Sequence, residues 1–250
     1  MLSVIVITYN EENNIRQCLR SLKKADEIIV IDSGSTDRTV EIAREFTDRI
    51  IITGNIPYGI KRNTGIEQAK YDWILWVDAD EIVSDDLMNE IINTIKNPAM
   101  DAYYINRKSF FIDKFISHCD WYPDYTLRLF RKSAGIRFTD NLVHEKPVYK
   151  GAAGKLKNEI LHYTDLTYEH YIHKMNNYTT LSASELHNKN RKCSISDIIF
   201  RPAFTFIKMY FFKSGYLDGF TGLVLCLLSG AHVMTKYLKL YYMKINGQRK

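Results

Sequence analysis

Trp73-Ile-Leu-Trp-Val-Asp-Ala-Asp-Glu81 is the stretch whose reading decides the fold. Its first five residues are apolar without a break, the pattern of a strand buried on both faces. Asp78, Ala79 and Asp80 follow at once, where such a strand ends and the chain turns back. Two carboxylates one residue apart at the tip of a buried strand make an oxygen-rich edge, suited to a hard divalent cation that also holds phosphates. Alone, D-x-D is a weak motif, read equally well as a solvated turn with an aspartate capping the next helix.

Working outward, the same design recurs upstream. Residues 3–8 form a Val- and Ile-rich strand, followed by Thr8-Tyr-Asn-Glu11. Ile15, Leu19 and Leu22 then mark one face of a helix over 12–24. Residues 27–31 form a second strand, followed by Asp32-Ser-Gly-Ser-Thr-Asp37 and a helix over 39–46. A third strand over 49–53 leads into Gly54-Asn-Ile-Pro-Tyr-Gly59 and a helix bearing Lys61, Arg62 and Asn63. After the fourth strand, Leu87, Ile91 and Ile95 pattern a helix over 85–96. Strands alternating with helices imply right-handed crossovers and a mostly parallel sheet. Ligands of such sheets bind beyond the carboxyl ends of the strands, and every polar cluster here directly follows a strand. The pattern reads as a nucleotide pocket. A dehydrogenase on a similar sheet is disfavoured, because Thr8-Tyr-Asn-Glu11 stands where a G-x-G-x-x-G turn belongs.

From residue 102 the pattern changes. Residues 102–108, 126–131 and 135–138 read as short strands without helical crossovers, so antiparallel or mixed pairing is expected. A long helix is expected over about 165–190. Residues 198–212 are apolar and aromatic with interspersed cations, and 216–234 are nearly uncharged but carry Gly219, Gly222 and Gly230. That apolar run is shorter than the roughly 20 residues of a spanning helix. Amphipathic or re-entrant helices on an anionic membrane surface are therefore expected, with Lys236, Lys239, Lys244, Arg249 and Lys250 on lipid phosphates. The charge supports this: residues 186–250 carry 11 Lys/Arg against two acids, or +9, leaving −4 for residues 1–185 out of the chain's +5. Four cysteines without C-x-x-C spacing indicate neither a metal knuckle nor a disulfide framework. No secretion signal is read at the N-terminus. Expected domains are 1–164, with halves 1–100 and 101–164, and a helical, membrane-associating 165–250.

Together these clusters resemble the family 2 glycosyltransferases of the GT-A type. The resemblance rests on Val4-Ile-Val-Ile-Thr-Tyr-Asn-Glu11, Ile31-Asp-Ser-Gly-Ser-Thr-Asp-Arg-Thr39, Lys61-Arg-Asn63 with Gly65, and Trp76-Val-Asp-Ala-Asp-Glu81. Trp121-Tyr-Pro-Asp124, Leu127-Arg-Leu-Phe130, Val143-His-Glu145 and Gly215-Tyr-Leu-Asp-Gly219 are similar to a narrower group, the lipopolysaccharide core β-1,4-glucosyltransferases.

The resemblance implies an α/β, GT-A nucleotide-sugar fold with a central, mostly parallel sheet and C-terminal hydrophobic helices. It implies an inverting transfer of a hexose from a UDP-sugar to a membrane glycolipid such as the lipopolysaccharide inner core. The alternatives are another envelope polysaccharide, a protein acceptor or a non-catalytic scaffold. Thr8, Tyr9 and Glu11 would border the nucleoside and Asp32 would accept from the base. Arg62 and Asn63 would approach the diphosphate or sugar. Asp78 would contact ribose beside Ala79, and Asp80 would hold Mg²⁺ or Mn²⁺, with His144 completing the shell. Glu145 is the first choice as base, Asp124 the second and Asp120 the third. Arg128 and Arg131 are three apart, so on a strand at most one faces the pocket. The implied location is the cytoplasmic face of a bacterial inner membrane, with no nucleic-acid partner.

Overall fold

Residues 1–54, 56–139 and 147–248 are described by the structure, a computed structural model. In chain order the elements are β1 (Leu2–Thr8), α1 (Ile15–Ser21), β2 (Glu27–Asp32), α2 (Thr39–Ala43), β3 (Ile50–Ile52), α3 (Tyr58–Gln68) and β4 (Trp73–Asp78). Then come β5 (Glu81–Val83), α4 (Asp85–Lys96), β6 (Ala102–Phe111), β7 (Lys114–Phe115), β8 (Asp124–Arg131), β9 (Arg137–Phe138), β10 (Pro147–Val148) and β11 (Gly154–Asp165). Helices α5 (Tyr168–Asn188), α6 (Ile195–Ile207) and α7 (Gly219–Gln248) end the chain.

The chain forms two compact units, one of Met1–Arg107 with Asp124–His162, the other of Lys108–Pro123 with Tyr163–Lys250. This differs from a division after residue 164 chiefly in Lys108–Pro123. Phe111, Ile116 and Cys119 of that segment cluster with Tyr171, Met209 and Leu225 of the C-terminal helices.

The first unit is built on a sheet of order β3-β2-β1-β4-β8-β6-β11-β5. β1, β2, β3 and β4 pair in parallel, whereas β4–β8, β6–β8 and β5–β11 are antiparallel. The sheet is therefore mixed, with its parallel half where strands and helices alternate in the sequence. Every residue of β1 is buried, because both sheet faces are covered. Val4 and Val6 face Leu19, Ile42 and Leu87, while Ile5 and Ile7 face the side of Ile66 and Phe138. On that side α3 lies so close that a Cβ on Gly65 would come within 2.5 Å of Ile5 Cγ2. α4 starts where expected because Ser84 Oγ accepts from the Leu87 amide at 3.2 Å.

In the second unit α7 is one helix of 30 residues, longer than the sequence suggested. The stretch Gly215–Ile245 is long and apolar enough to cross a membrane by length and composition, with mean hydropathy 1.5. The glycines do not break it. They sit where neighbours approach: a Cβ on Gly222 would meet the Gly215 carbonyl oxygen at 2.1 Å, and one on Gly230 the Pro202 carbonyl oxygen at 3.1 Å.

Candidate nucleotide-sugar site

Strand register brings the polar strand ends of the first unit together. Thr8 lies opposite Asp32, and Ile7 opposite Asp78. Three adjacent parallel strands thus end at one edge, the edge at which ligands of such sheets bind.

Asp32 is fully buried at this edge. Its Oδ2 accepts from the Gly34 and Ser35 amides, each at 2.7 Å, in a turn that Gly34 closes with φ +88°. Its Oδ1 is buried and has no hydrogen-bond partner among the described residues, and neither has Thr8 Oγ1. Buried polar oxygens are almost always paired, so this edge holds two exceptions, a carboxylate acceptor and a hydroxyl that can donate or accept. Lys61 is buried beside them and donates to Ser33 Oγ at 2.8 Å. Burial lowers the affinity of its ammonium for the proton, with Asp32 acting against this. Tyr9 is half exposed, leaving a ring face open, and the Glu11 carbonyl starts α1 by accepting from the Asn14 and Ile15 amides.

Asp78 sits in a web of charges. Arg128 has no exposed surface. It donates to Glu81 Oε1 at 2.7 Å, lies 3.6 Å from Asp78 Oδ2 and stacks on Trp76 at 3.6 Å. Glu81 in turn accepts from the Asp78 amide at 2.9 Å, which fixes the tight turn through Ala79 and Asp80. Burial pushes the Asp78 carboxyl up, but Arg128 and Arg62 outweigh it and leave it below the ordinary carboxylate value. Burial raises Glu81 above its ordinary value, Arg128 acting against it. Asp80 escapes this web. Its Oδ2 lies 3.0 Å from His162 Nε2 on β11, opposite Glu81 of β5.

The expected site residues divide. Thr8, Tyr9, Asp32, Asp78, Ala79 and Asp80 lie at the strand-end edge or in the turn directly after it. Arg62 reaches this edge too, 3.4 Å from Asp78 and stacked over Trp76 at 4.2 Å. The Asn63 side-chain amide donates to the Phe138 carbonyl at 3.0 Å and accepts from the Phe138 amide at 2.9 Å, bracing β9. Arg128 and Arg131 point apart as the strand period requires, Arg131 pairing with Asp101 at 3.2 Å. Asp124 Oδ2 accepts from Arg107 Nε at 2.9 Å, and Arg107 also reaches Glu81 at 3.8 Å. Asp120 belongs to the second unit, where it holds Lys208 and Lys213. His144 and Glu145 lie outside the described residues.

Sequence reasoning missed His162. It stands on β11, a strand whose apolar alternation is broken by Asn158 and Glu159, and nothing local marks it. Asp80 and His162 are an oxygen and a nitrogen donor at hydrogen-bond separation, both with exposed surface. A cation shared with a diphosphate needs few protein ligands, so this pair fits Mg²⁺ or Mn²⁺. Among the described residues no group of three or more His, Cys, Asp or Glu forms a closed metal cage.

The family model described as glycosyl transferase family 2 matches residues 3–147. The chain belongs to glycosyl transferase family 2. Among family 2 relatives, it is 26% identical to the lipopolysaccharide core biosynthesis glycosyltransferase LpsC of Rhizobium meliloti, over 94% of this chain and 93% of LpsC. It is 28% identical to an uncharacterized glycosyltransferase of Rickettsia typhi, covering 89% of this chain and 80% of the relative. Among solved structures, S. aureus TarS residues 1–349 in complex with UDP-GlcNAc superposes with TM-score 0.51 at 17% identity, over 93% of this chain and 81% of that one. That likeness carries the GT-A-type fold.

Proposed function

We propose that this family 2 glycosyltransferase moves a hexosyl group, with inversion, from a UDP-sugar to a membrane glycolipid such as the lipopolysaccharide inner core. The observation that carries the donor reading is the buried, unpartnered Asp32 Oδ1 beside Thr8 Oγ1, at the edge where Asp78 also ends. A carboxylate oxygen accepts the N3–H of uracil, and Tyr9 offers a face for the ring. Asp78 would take the ribose, and Asp80 with His162 would hold Mg²⁺ or Mn²⁺. Such a cation supplies charge neutralisation for the departing UDP. The name of the LpsC relative supports the acceptor class, and the basic, apolar C-terminal region supports work at the cytoplasmic face of an inner membrane.

Inversion requires a base on the acceptor side of the anomeric carbon. The acceptor hydroxyl gives its proton to a carboxylate as its oxygen bonds to that carbon. The bond from the carbon to the β-phosphate oxygen breaks, and its electron pair leaves with UDP. Asp124 is the described carboxylate suited to this, oriented by Arg107, and Glu145 is its competitor.

Titration calorimetry with UDP and Mn²⁺, beside transfer to an envelope-lipid extract, tests the reading. Asp80→Ala and His162→Ala each weaken Mn²⁺-dependent UDP binding roughly 10- to 100-fold. The base variant, Asp124→Asn or Glu145→Gln, keeps UDP binding and loses transfer. Wild-type protein that binds no UDP sinks the proposal.

A further inference from the structure

The second unit carries an apolar face that its own packing does not use. α6 and the π-helical turn over residues 208–212 present Ile199, Phe200, Ala203, Phe204, Ile207 and Phe211 along one exposed arc. Their spacing of three and four residues puts them on one side of the helix. The opposite side packs on α7, with Pro202 against Gly230. At the tip of the α6–α7 hairpin, Phe212 and Phe220 are 76% and 80% exposed. Soluble monomers rarely leave so long a contiguous apolar surface open.

We infer that this face and tip are a lipid-docking surface that lies in the headgroup region of an anionic bilayer without crossing it. The inference rests on the membrane-surface reading of the C-terminal region and narrows it to the outer face of α6. Three observations choose lipid as the occupant. The second unit as a whole, residues 108–123 and 163–250, carries 14 Lys/Arg against seven acids, a net +7 that matches anionic headgroups. Exposed Arg191 and Lys192 stand just before the apolar arc begins. Phenylalanines that project almost fully into solvent suit insertion into a fluid phase rather than the fitted, flat contact of a second copy.

The packing of α7 excludes crossing. α5 runs alongside it, from Tyr171 clustered with Leu225 and Cys226 to Ala183 clustered with Tyr237 and Leu240. Lys239 Nζ lies 2.7 Å from both the Asn176 carbonyl oxygen and Oδ1, 2.9 Å from the Thr179 hydroxyl oxygen and 2.7 Å from that of Thr180. α5 turns Glu169, Asn177 and Glu185 to solvent. A bilayer around α7 would immerse these polar groups in hydrocarbon, which lipid-exposed segments do not tolerate.

Flotation of the full chain with vesicles of phosphatidylcholine alone, or of phosphatidylcholine with phosphatidylglycerol, tests this. The wild type floats with the anionic vesicles and less with the neutral ones. Phe204→Ser combined with Phe212→Ser and Phe220→Ser lowers the bound fraction at least about tenfold, since each exchanges exposed apolar area for a hydroxyl. Circular dichroism and UDP affinity stay at wild-type values, which separates this outcome from failure of the transferase reading. As a second readout, Phe220→Trp gains fluorescence that brominated lipids quench. Undiminished flotation of the triple variant overturns the inference. So does a wild type that ignores vesicles and forms a dimer that the triple variant splits, which would give the face to a second copy.

Discussion

At the scale of single residues, Asp32 and Arg128 are two buried charges held in different ways. Asp32 commits one oxygen to its own turn, and the other, without a partner among the described residues, is the one proposed to accept from the base. A free carboxylate oxygen takes the N3–H of uracil or thymine and repels cytosine, whose N3 is itself an acceptor. UDP and dTDP should therefore compete for this edge while CDP binds about tenfold more weakly or worse, as competition calorimetry would read. Asp32→Asn should narrow that preference. Arg128 touches no solvent and compensates both Asp78 and Glu81. Arg128→Leu should cost about 3 kcal/mol in urea unfolding at neutral pH, because it removes the nearest counter-charge of buried Glu81 and one of the two that hold the partly exposed Asp78. Of these groups, the strand-end aspartates were legible in the sequence because each ends an apolar run. Glu81, Arg107 and His162 were not, because their roles come from cross-strand neighbours distant in the chain.

At the scale of elements, short helices depend on their ends. α2 has five residues, and Asp37 just before it accepts from the Thr39 amide at 3.0 Å and hydroxyl at 2.5 Å. Burial works to raise the Asp37 carboxyl, but the bonds from Thr39 and the Glu12 amide outweigh it and leave it below its ordinary value. A carboxyl depressed on folding stabilises the protein fully above its unfolded value, near about 3.9, and stops doing so as pH falls through the folded value. Asp37→Asn should thus lower stability by about 1 kcal/mol at pH 7. The gap should close below about pH 4, as paired urea titrations would show. β1, β2, β4 and α4 could be read ahead of the structure, being either unbroken apolar runs or well-capped periodic ones. β5 and β11 could not: one is three residues long, and in the other Asn158 stands between Leu156 and Ile160 on the buried side and interrupts the apolar alternation. The length of α7 was misjudged for a physical reason. Glycine lowers helix propensity, yet here it admits the close neighbours against which the helix packs.

At the scale of the whole molecule, neither unit is one continuous stretch of chain. The second needs Phe111, Ile116 and Cys119 from the middle of the chain and Met209, Leu225 and Cys226 from its end to close one apolar cluster. Ending the chain after Asn190 should therefore yield protein that binds hydrophobic dye and aggregates, rather than a trimmed soluble enzyme. Size-exclusion chromatography with dye fluorescence reads this directly. The first unit has the same property in another form. Val83 of β5 pairs with Ile160 of β11, which is synthesised much later. On the ribosome, then, β5 must wait through the emergence of α4, β6 and β8 before its partner exists. Until that strand arrives β5 has no partner in the sheet, so the turn between β4 and β5 is among the last parts of the enzyme to set.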